Sequence, residues 1–441
     1  VGDGESSPNK VELESLPGQF ATGTFVADGS TQTITLESPG FGNAHITAYQ
    51  IRDRITAEEM MTNLDSQLAA FPDYSWDKIS RWAFAYKNAT DWTDEQIDIM
   101  GSNLKYIWIL EPPSEQQRFL DAYPDNMYNF GAYINLSKAY YGPDPFNPEY
   151  YLYGTLGALQ TYSSGDPLYN QANPDCREWW VNQLSEFAYA NPKSDVLFVD
   201  SIQKALRVAN GDYYDYLGNP VSANYMEAAI KPLLTALHDE LSEDFIIQGN
   251  FLRASTTYTE DSNLSYVSDY IQNCYLEGFE VASAEDYADI LHKGIDAVQQ
   301  AVDMGKMICP NFGPHQPSII AAMPIADMRT KASAAMPTFW DDLGATEQDE
   351  LANMYAYFDY KLATFLIMAG EHSYLRFQDE MVVDRAGTDL FQIVPPFPEF
   401  DRLLGEPQSD GIKINSTTWE REFEYCMVTL DVDGGTADID W

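Results

Sequence analysis

Short apolar runs alternate with longer amphipathic stretches through most of the chain. From Arg81 onward the runs are Arg81–Tyr86 (RWAFAY), Tyr106–Leu110 (YIWIL), Asn129–Ile134 (NFGAYI), Val196–Val199 (VLFV), Phe245–Gln248 (FIIQ), Ile271–Tyr275 (IQNCY), Lys306–Cys309 (KMIC) and Phe365–Met368 (FLIM). Their length and near-continuous apolarity suit strands buried on both faces. Between them, Thr93–Gly101, Ser114–Ala122, Arg177–Ala190, Asn224–Glu243, Ala284–Asp303 and Glu347–Ala363 carry apolar residues at helical spacing. Strands alternating with such helices predict parallel βαβ units, and eight of them predict an α/β fold, a (β/α)8 barrel spanning 55–385. Before it, Gly18–Phe25, Thr31–Glu37 and His45–Ile51 alternate as strands within an N-terminal β segment, 1–54, and Thr56–Ala70 is helical in period. The tail, 386–441, ends in Trp419–Trp441, which predicts a β-hairpin turning at Asp433-Gly434-Gly435. These terminal segments are expected to pair into one accessory β module. Two long connections, Ser137–Asp175 and Asn311–Gly344, follow predicted strands and so fall on the face where barrels build their sites.

Composition narrows the function classes. The 441 residues include 25 Lys or Arg against 68 Asp or Glu, a formal net charge of −43, which excludes nucleic acid as a natural partner. Hydrophobic residues at 45% and charged residues at 21% describe a chain that folds rather than an acidic disordered one. No window reaches the roughly 18 apolar residues of a membrane span. The sequence opens at Val1 with a polar lead from Gly2 to Lys10, which predicts a removed signal and a secreted, periplasmic or cell-surface location. Cys176, Cys274, Cys309 and Cys426 make no C-x-x-C pair, and the five histidines show no i,i+4 spacing; neither a metal nor another cofactor is expected. Cys274 and Cys309 sit in apolar runs and should be buried thiols. An oligomeric state is not legible.

Two strand ends deliver carboxylates. The fourth run leads into Asp200 and the sixth into Glu277. Glycosidic hydrolysis needs two carboxyl groups about one bond, one acting at the anomeric carbon and one carrying a proton. The structural alternatives are a helix cap for Asp200 and an ion pair with a loop cation for Glu277. Polar residues follow the other strands: Lys87, Glu111, Asn135, Asn250 and Arg253, Asn311, and Glu371-His372. Together they predict a substrate-binding ring. Trp82 and Trp108 are expected in the core, whereas Trp340, Tyr140, Tyr141, Phe146, Tyr150 and Tyr151 in the long loops are candidates to stack on sugar. Arg253, Lys204, Lys87, Lys138 and Arg376 fall near strand ends and would suit an anionic sugar; solvated charge explains them equally well. The run DVDGGTADID lacks a calcium-loop ligand pattern and reads as a turn.

VLFVD at Asp200, YLEGF at Glu277, and PEFDRLLGEP (Pro398–Pro407) ahead of WEREFEYCMVTLDVDGGTADID together resemble a family of secreted bacterial glycoside hydrolases with a TIM-barrel domain. The likeness covers roughly 80–441. Its tail is similar to the family's LG-x-P segment and REFENG-x-V-x-VN hairpin, with Tyr425-Cys426 in place of Asn-Gly and Leu430-Asp431 in place of Val-Asn. The carboxylate placement is similar to that of the α-galactosidase group of barrels. That likeness implies Asp200 as nucleophile and Glu277 as acid/base, roles an inverting enzyme would exchange.

The expectation is therefore a secreted glycoside hydrolase, retaining by resemblance, acting on a poly- or oligosaccharide, with algal and anionic glycans among the candidates. A barrel that binds carbohydrate without catalysis is one alternative. The other is a polysaccharide lyase, which would use a Tyr or His base beside a neutralising cation.

Overall fold

Parallel pairing organises the chain after Arg81. The computed structural model describes residues 71–87, 92–110, 112–136, 147–161, 165–190, 193–202, 212–221, 225, 229–242, 244–250, 252, 270–277, 287–312, 358–377, 382–383, 394 and 397–441. All belong to the unit Leu68–Trp441. The predicted N-terminal strands, the Thr56–Ala70 helix and the Asn311–Gly344 connection beyond Phe312 lie outside the described residues.

The strands are β1 (Trp82–Lys87), β2 (Tyr106–Leu110), β3 (Met127–Asn129), β4 (Tyr133–Asn135), β5 (Val196–Asp200), β6 (Ile246–Asn250), β7 (Asn273–Glu277) and β8 (Met307–Asn311). They form two parallel sheets, β3-β2-β1, extended at β1 by β9 (Val382–Val383), and β4-β5-β6-β7-β8. β3 and β4 split the single third strand read from the sequence, because Gly131 takes a φ of 81° between them. Both halves still bond the same neighbour: the Asp195 N–H donates to the Tyr128 carbonyl and the Phe198 N–H to the Ala132 carbonyl, each at 2.8 Å. On the far side, 373–376 pairs in parallel with β8 at Ile308↔Ser373 and Asn311↔Arg376, and with the start of β1 at Arg81↔Leu375.

Strand alternation sorts side chains to two faces. Residues from β1, β2, β3, β5, β6, β7, β8 and Tyr374 meet in one buried cluster that includes Trp82 and Trp108, 1% and 8% exposed, as expected of core tryptophans. The opposite face packs on helices α1 (Asp94–Asn103), α2 (Pro113–Ala122), α3 (Pro174–Tyr189), α4 (Lys231–Leu241) and α5 (Tyr287–Asp303). α1 starts at a capping box in which the Gln96 N–H donates to the Thr93 hydroxyl and the Thr93 N–H to the Gln96 side chain. Cys274 and Cys309 lie on adjacent strands one register step apart, so one faces the helices and the other the interior. All four cysteines are buried free thiols.

One strand expectation is corrected. Phe365–Met368 is the end of a helix whose described part runs 358–368. Every residue from 360 to 370 is buried, so the helix has no polar face to betray its period. The eighth parallel segment is 373–376.

The tail forms an antiparallel sheet of β10 (Ile412–Lys413), β11 (Thr418–Glu422), β12 (Met427–Asp431) and β13 (Thr436–Asp440). β12 and β13 are joined at the predicted turn, with Gly435 at a φ of 64°. This sheet is anchored through buried Arg421, which donates to the Leu366 carbonyl at 2.8 Å and to the Ala369 carbonyl, orphan acceptors at the end of the 358–368 helix. The Trp419 indole donates to His292 Nδ1 on α5 at 2.7 Å. Its expected pairing with the N-terminal strands falls outside the described residues. Among the described residues no helix is long and apolar enough to cross a membrane.

Candidate active site at the strand ends

β5 terminates on Asp200 and β7 on Glu277. β6 lies between them and contributes Asn250, whose Nδ2 donates to Asp200 Oδ1 at 2.9 Å and to Glu277 Oε2 at 3.0 Å. Two acceptor oxygens within about 3 Å of one nitrogen can be no more than about 6 Å apart.

Asp200 is half-buried and accepts three further hydrogen bonds. Tyr133 Oη donates to Oδ2 at 2.6 Å, Asn135 Nδ2 to Oδ2 at 3.2 Å, and the Ser201 N–H to Oδ1 at 2.6 Å. The last contact depends on a left-handed Ser201, φ 66°, a conformation unfavourable to a residue bearing a Cβ. Ser201 is completely buried and its hydroxyl accepts from Asn135 Nδ2 at 2.9 Å. An ionised carboxylate is an acceptor only, so four donors fit the charged form and fix its plane. Glu277 is exposed.

Behind the pair, Tyr275 and Arg376 are 8% and 2% exposed. Burial pushes the Tyr275 phenol up to about 12, with Arg376 working against that and Glu277 and Asp200 adding to it. Burial lowers the Arg376 guanidinium, offset by Tyr275 and Glu277. Asn311 Nδ2 donates to the Tyr275 hydroxyl at 3.5 Å.

Of the residues read from the sequence, Asp200, Glu277, Asn135, Asn250 and Asn311 come together here. Glu371 and His372 do not. They precede the 373–376 segment instead of following the eighth strand, so they lie at the opposite end of the parallel strands, and the His372 ring packs on Phe71 and Tyr74 at centroid distances of 5.0 and 5.6 Å. Lys87 ends β1, and its side chain falls outside the described residues, as do Glu111, Arg253 and Trp340. Of the loop aromatics, Tyr140, Tyr141 and Phe146 are likewise outside; Tyr151 stacks on Tyr169 at 6.3 Å and Tyr150 packs on Trp179 at 5.8 Å, holding their loop to α3. Tyr133, Ser201 and Tyr275 were not read as site residues. Tyr133 and Tyr275 sit inside apolar runs, and no sequence pattern marks a serine as left-handed.

No protein-family model matches the sequence, and no curated protein matches it. Solved structures do. The chain is similar to a noncanonic maltogenic α-amylase, AmyB, from Thermotoga neapolitana, at 10% identity and a TM-score of 0.42, over 81% of this chain and 86% of that one. An α-amylase from Lactobacillus plantarum is similar at 11% identity and a TM-score of 0.42, over 82% and 88%. The α-N-acetylgalactosaminidase NagBb from Bifidobacterium bifidum is similar at 10% identity and a TM-score of 0.44; 88% of this chain spans 60% of that one. These similar structures are glycoside hydrolases.

Proposed function

We propose that the protein is a retaining glycoside hydrolase of (β/α)8 architecture acting on an oligo- or polysaccharide, with Asp200 as nucleophile and Glu277 as acid/base. The observation carrying this reading is the shared Asn250 amide. It keeps the nearest carboxylate oxygens within about 6 Å of each other, which favours the roughly 5–5.5 Å separation of retaining enzymes over the wider gap that admits a water for inversion. The barrel assignment draws support from the order of parallel pairings, which runs from β1 through β8 to 373–376 and returns to β1.

In the first step Asp200 attacks the anomeric carbon while Glu277 gives its proton to the departing oxygen; in the second, water takes the glycosyl group from Asp200 and leaves its proton on Glu277. The four donors on Asp200 leave no free in-plane lone pair, so attack requires one to let go. Oδ1 is held by a backbone N–H and by the bridging Asn250. Oδ2 is held by side chains that can turn toward a sugar hydroxyl, Tyr133 and Asn135, and we assign the attack to Oδ2. Glu277, the more exposed partner, exchanges its proton with solvent.

Tyr275 beside Arg376 also has the residue types of a lyase base and its neutralising cation. A phenol pushed up to about 12 is a poor base near neutrality, and an arginine 2% exposed cannot reach a substrate carboxylate. Arg376 therefore gives no support to an anionic substrate.

The test is a panel of plant and algal glycans and aryl glycosides, assayed for reducing ends and for the ultraviolet absorbance of a new double bond. Reducing ends without absorbance are expected from the native chain. Asp200→Asn should abolish turnover, and Glu277→Gln should keep a first step on aryl glycosides with good leaving groups. Near-normal turnover in both folded variants would end the assignment.

A further inference from the structure

We propose that Tyr133 is the donor that stays on Asp200 Oδ2 through both steps of the reaction, while Asn135 yields its place there to the anomeric carbon, so that Tyr133 serves the second step. The inference rests on the hydrolase reading and divides the labour within it.

Tyr133 and Asn135 share one face of β4, and their register partners on β5 are Phe198 and Asp200. The Tyr133 ring therefore lies beside Phe198, stacked at 5.6 Å with 21° between the planes, and it also stacks on Trp108 at 6.4 Å. Those two neighbours are buried and pack on each other at 4.6 Å, which gives the phenol a fixed wall. From that wall its hydroxyl reaches Oδ2 at 2.6 Å. Asn135 Nδ2 meets the same oxygen at 3.2 Å and also donates to the Ser201 hydroxyl at 2.9 Å. An O–H donor at 2.6 Å from a carboxylate makes the short, charge-assisted kind of bond, whereas 3.2 Å is the long limit for an N–H donor. The weaker bond is the one that gives way to the sugar, and Asn135 keeps its Ser201 contact when it does.

In the first step the bond from Oδ2 to the anomeric carbon forms as the bond to the leaving oxygen breaks, and that oxygen takes the Glu277 proton. In the second, a water oxygen bonds the anomeric carbon, the electron pair of the broken ester bond returns to Oδ2, and the water's proton passes to Glu277. The Tyr133 proton stays on Tyr133 throughout. Negative charge thus leaves Oδ2 in the first step and comes back to it in the second. A donor favours the ionised form of a carboxylate, and its bond to a charged acceptor is about twice as strong as to a neutral one. Tyr133 therefore opposes the departure of charge and assists its return. Its benefit falls on the breakdown of the glycosyl-enzyme, in which Oδ2 is the leaving group.

The test uses the full chain and the dinitrophenyl glycoside of whichever sugar the native chain releases, a substrate whose leaving group needs little protonation. Tyr133→Phe removes one oxygen and keeps the ring stack. It should lower kcat about 10- to 100-fold and lower KM with it, leaving kcat/KM, which reports the first step, close to native. Dinitrophenol should appear as a burst of about one equivalent per chain, and the intact chain should carry one glycosyl group by mass in the steady state. Asn135→Ala, whose bond is already gone when the intermediate breaks down, should show neither. A merely structural role for Tyr133 would depress kcat and kcat/KM together with no accumulation. Native turnover without burst or bound sugar in Tyr133→Phe, or with both in Asn135→Ala, would overturn the assignment and leave the hydrolase reading standing. A native chain that hydrolyses no glycoside of the panel would reject the hydrolase reading, and this role with it.

Discussion

Asp200 and Glu277 accept hydrogen bonds from one nitrogen of Asn250, at 2.9 and 3.0 Å. A single side chain thus sets both the gap between the carboxylates and their relative orientation. Asn250→Ala should therefore lower kcat on any substrate found by about 100-fold, the cost of misplacing reacting groups by about an ångström. Circular dichroism should remain native. Retention of more than half the native turnover would show the bridge to be idle.

Acid should loosen the attachment of the C-terminal sheet. Trp419 donates to His292 Nδ1, which places the ring's proton on Nε2, 3.5 Å from Asp433. Burial, then Lys413, hold His292 below the ordinary histidine value, against Asp433 and Asp296. The unfolded chain then takes up this proton at higher pH than the folded one. The stability contributed is complete above about pH 6.5 and is lost as pH falls below it. Urea midpoints at pH 8 and pH 5 should differ more for the native chain than for His292→Gln, which keeps an acceptor for Trp419 and carries no titrating ring. Equal differences would remove His292 as the cause.

Arg421 offers a sharper stability test. It is 7% exposed, bonds the Leu366, Ala369 and Ser409 carbonyls, and lies 4.9 Å over the Phe423 ring. Arg421→Met keeps much of the volume and abandons three acceptors. We expect a loss of about 3 kcal/mol in denaturant unfolding. A loss below about 1 kcal/mol would mean that solvent or neighbouring donors replace the guanidinium.

The thiols should be silent in the native state. Burial pushes Cys176 and Cys274 up to about 12, Cys426 to about 11, and Cys309 well above its usual range, and thiolate is the reactive species. An aromatic disulfide reagent should label none of the four before denaturation and all four after it. Rapid native labelling of Cys274 or Cys309 would contradict the packing of β7 and β8.

Strands and carboxylates were legible for one reason. Runs such as YIWIL and VLFVD are apolar throughout because parallel strands are covered on both faces, and a charge at the end of such a run has to lie at the mouth. The same logic misread FLIM, since a fully buried helix offers the same run without a period. That error moved Glu371 and His372 to the wrong end of the strands, while Arg376, read from the sequence only as a strand-end cation, closes the eighth parallel segment. Tyr133 and Tyr275 stayed hidden because a tyrosine inside an apolar run looks like filling until its hydroxyl is located. Ser201 is a matter of backbone torsion, which single-residue chemistry does not announce.

The Trp82 N–H donates to the Leu375 carbonyl at 3.0 Å, joining the beginning of the parallel strands to their end across most of the chain. Such a contact has a high loop-closure cost and cannot form until residue 375 has left the ribosome. During synthesis β1 must therefore wait with one ladder of backbone groups unpaired, although β2 is available early for the other. An open edge on a strand as aromatic as β1, WAFAYK, is a template for misassembly. Yield on heterologous expression should accordingly depend on how fast the segment beyond Gly370 is delivered, which makes this distal seam the vulnerable point in the biogenesis of the protein.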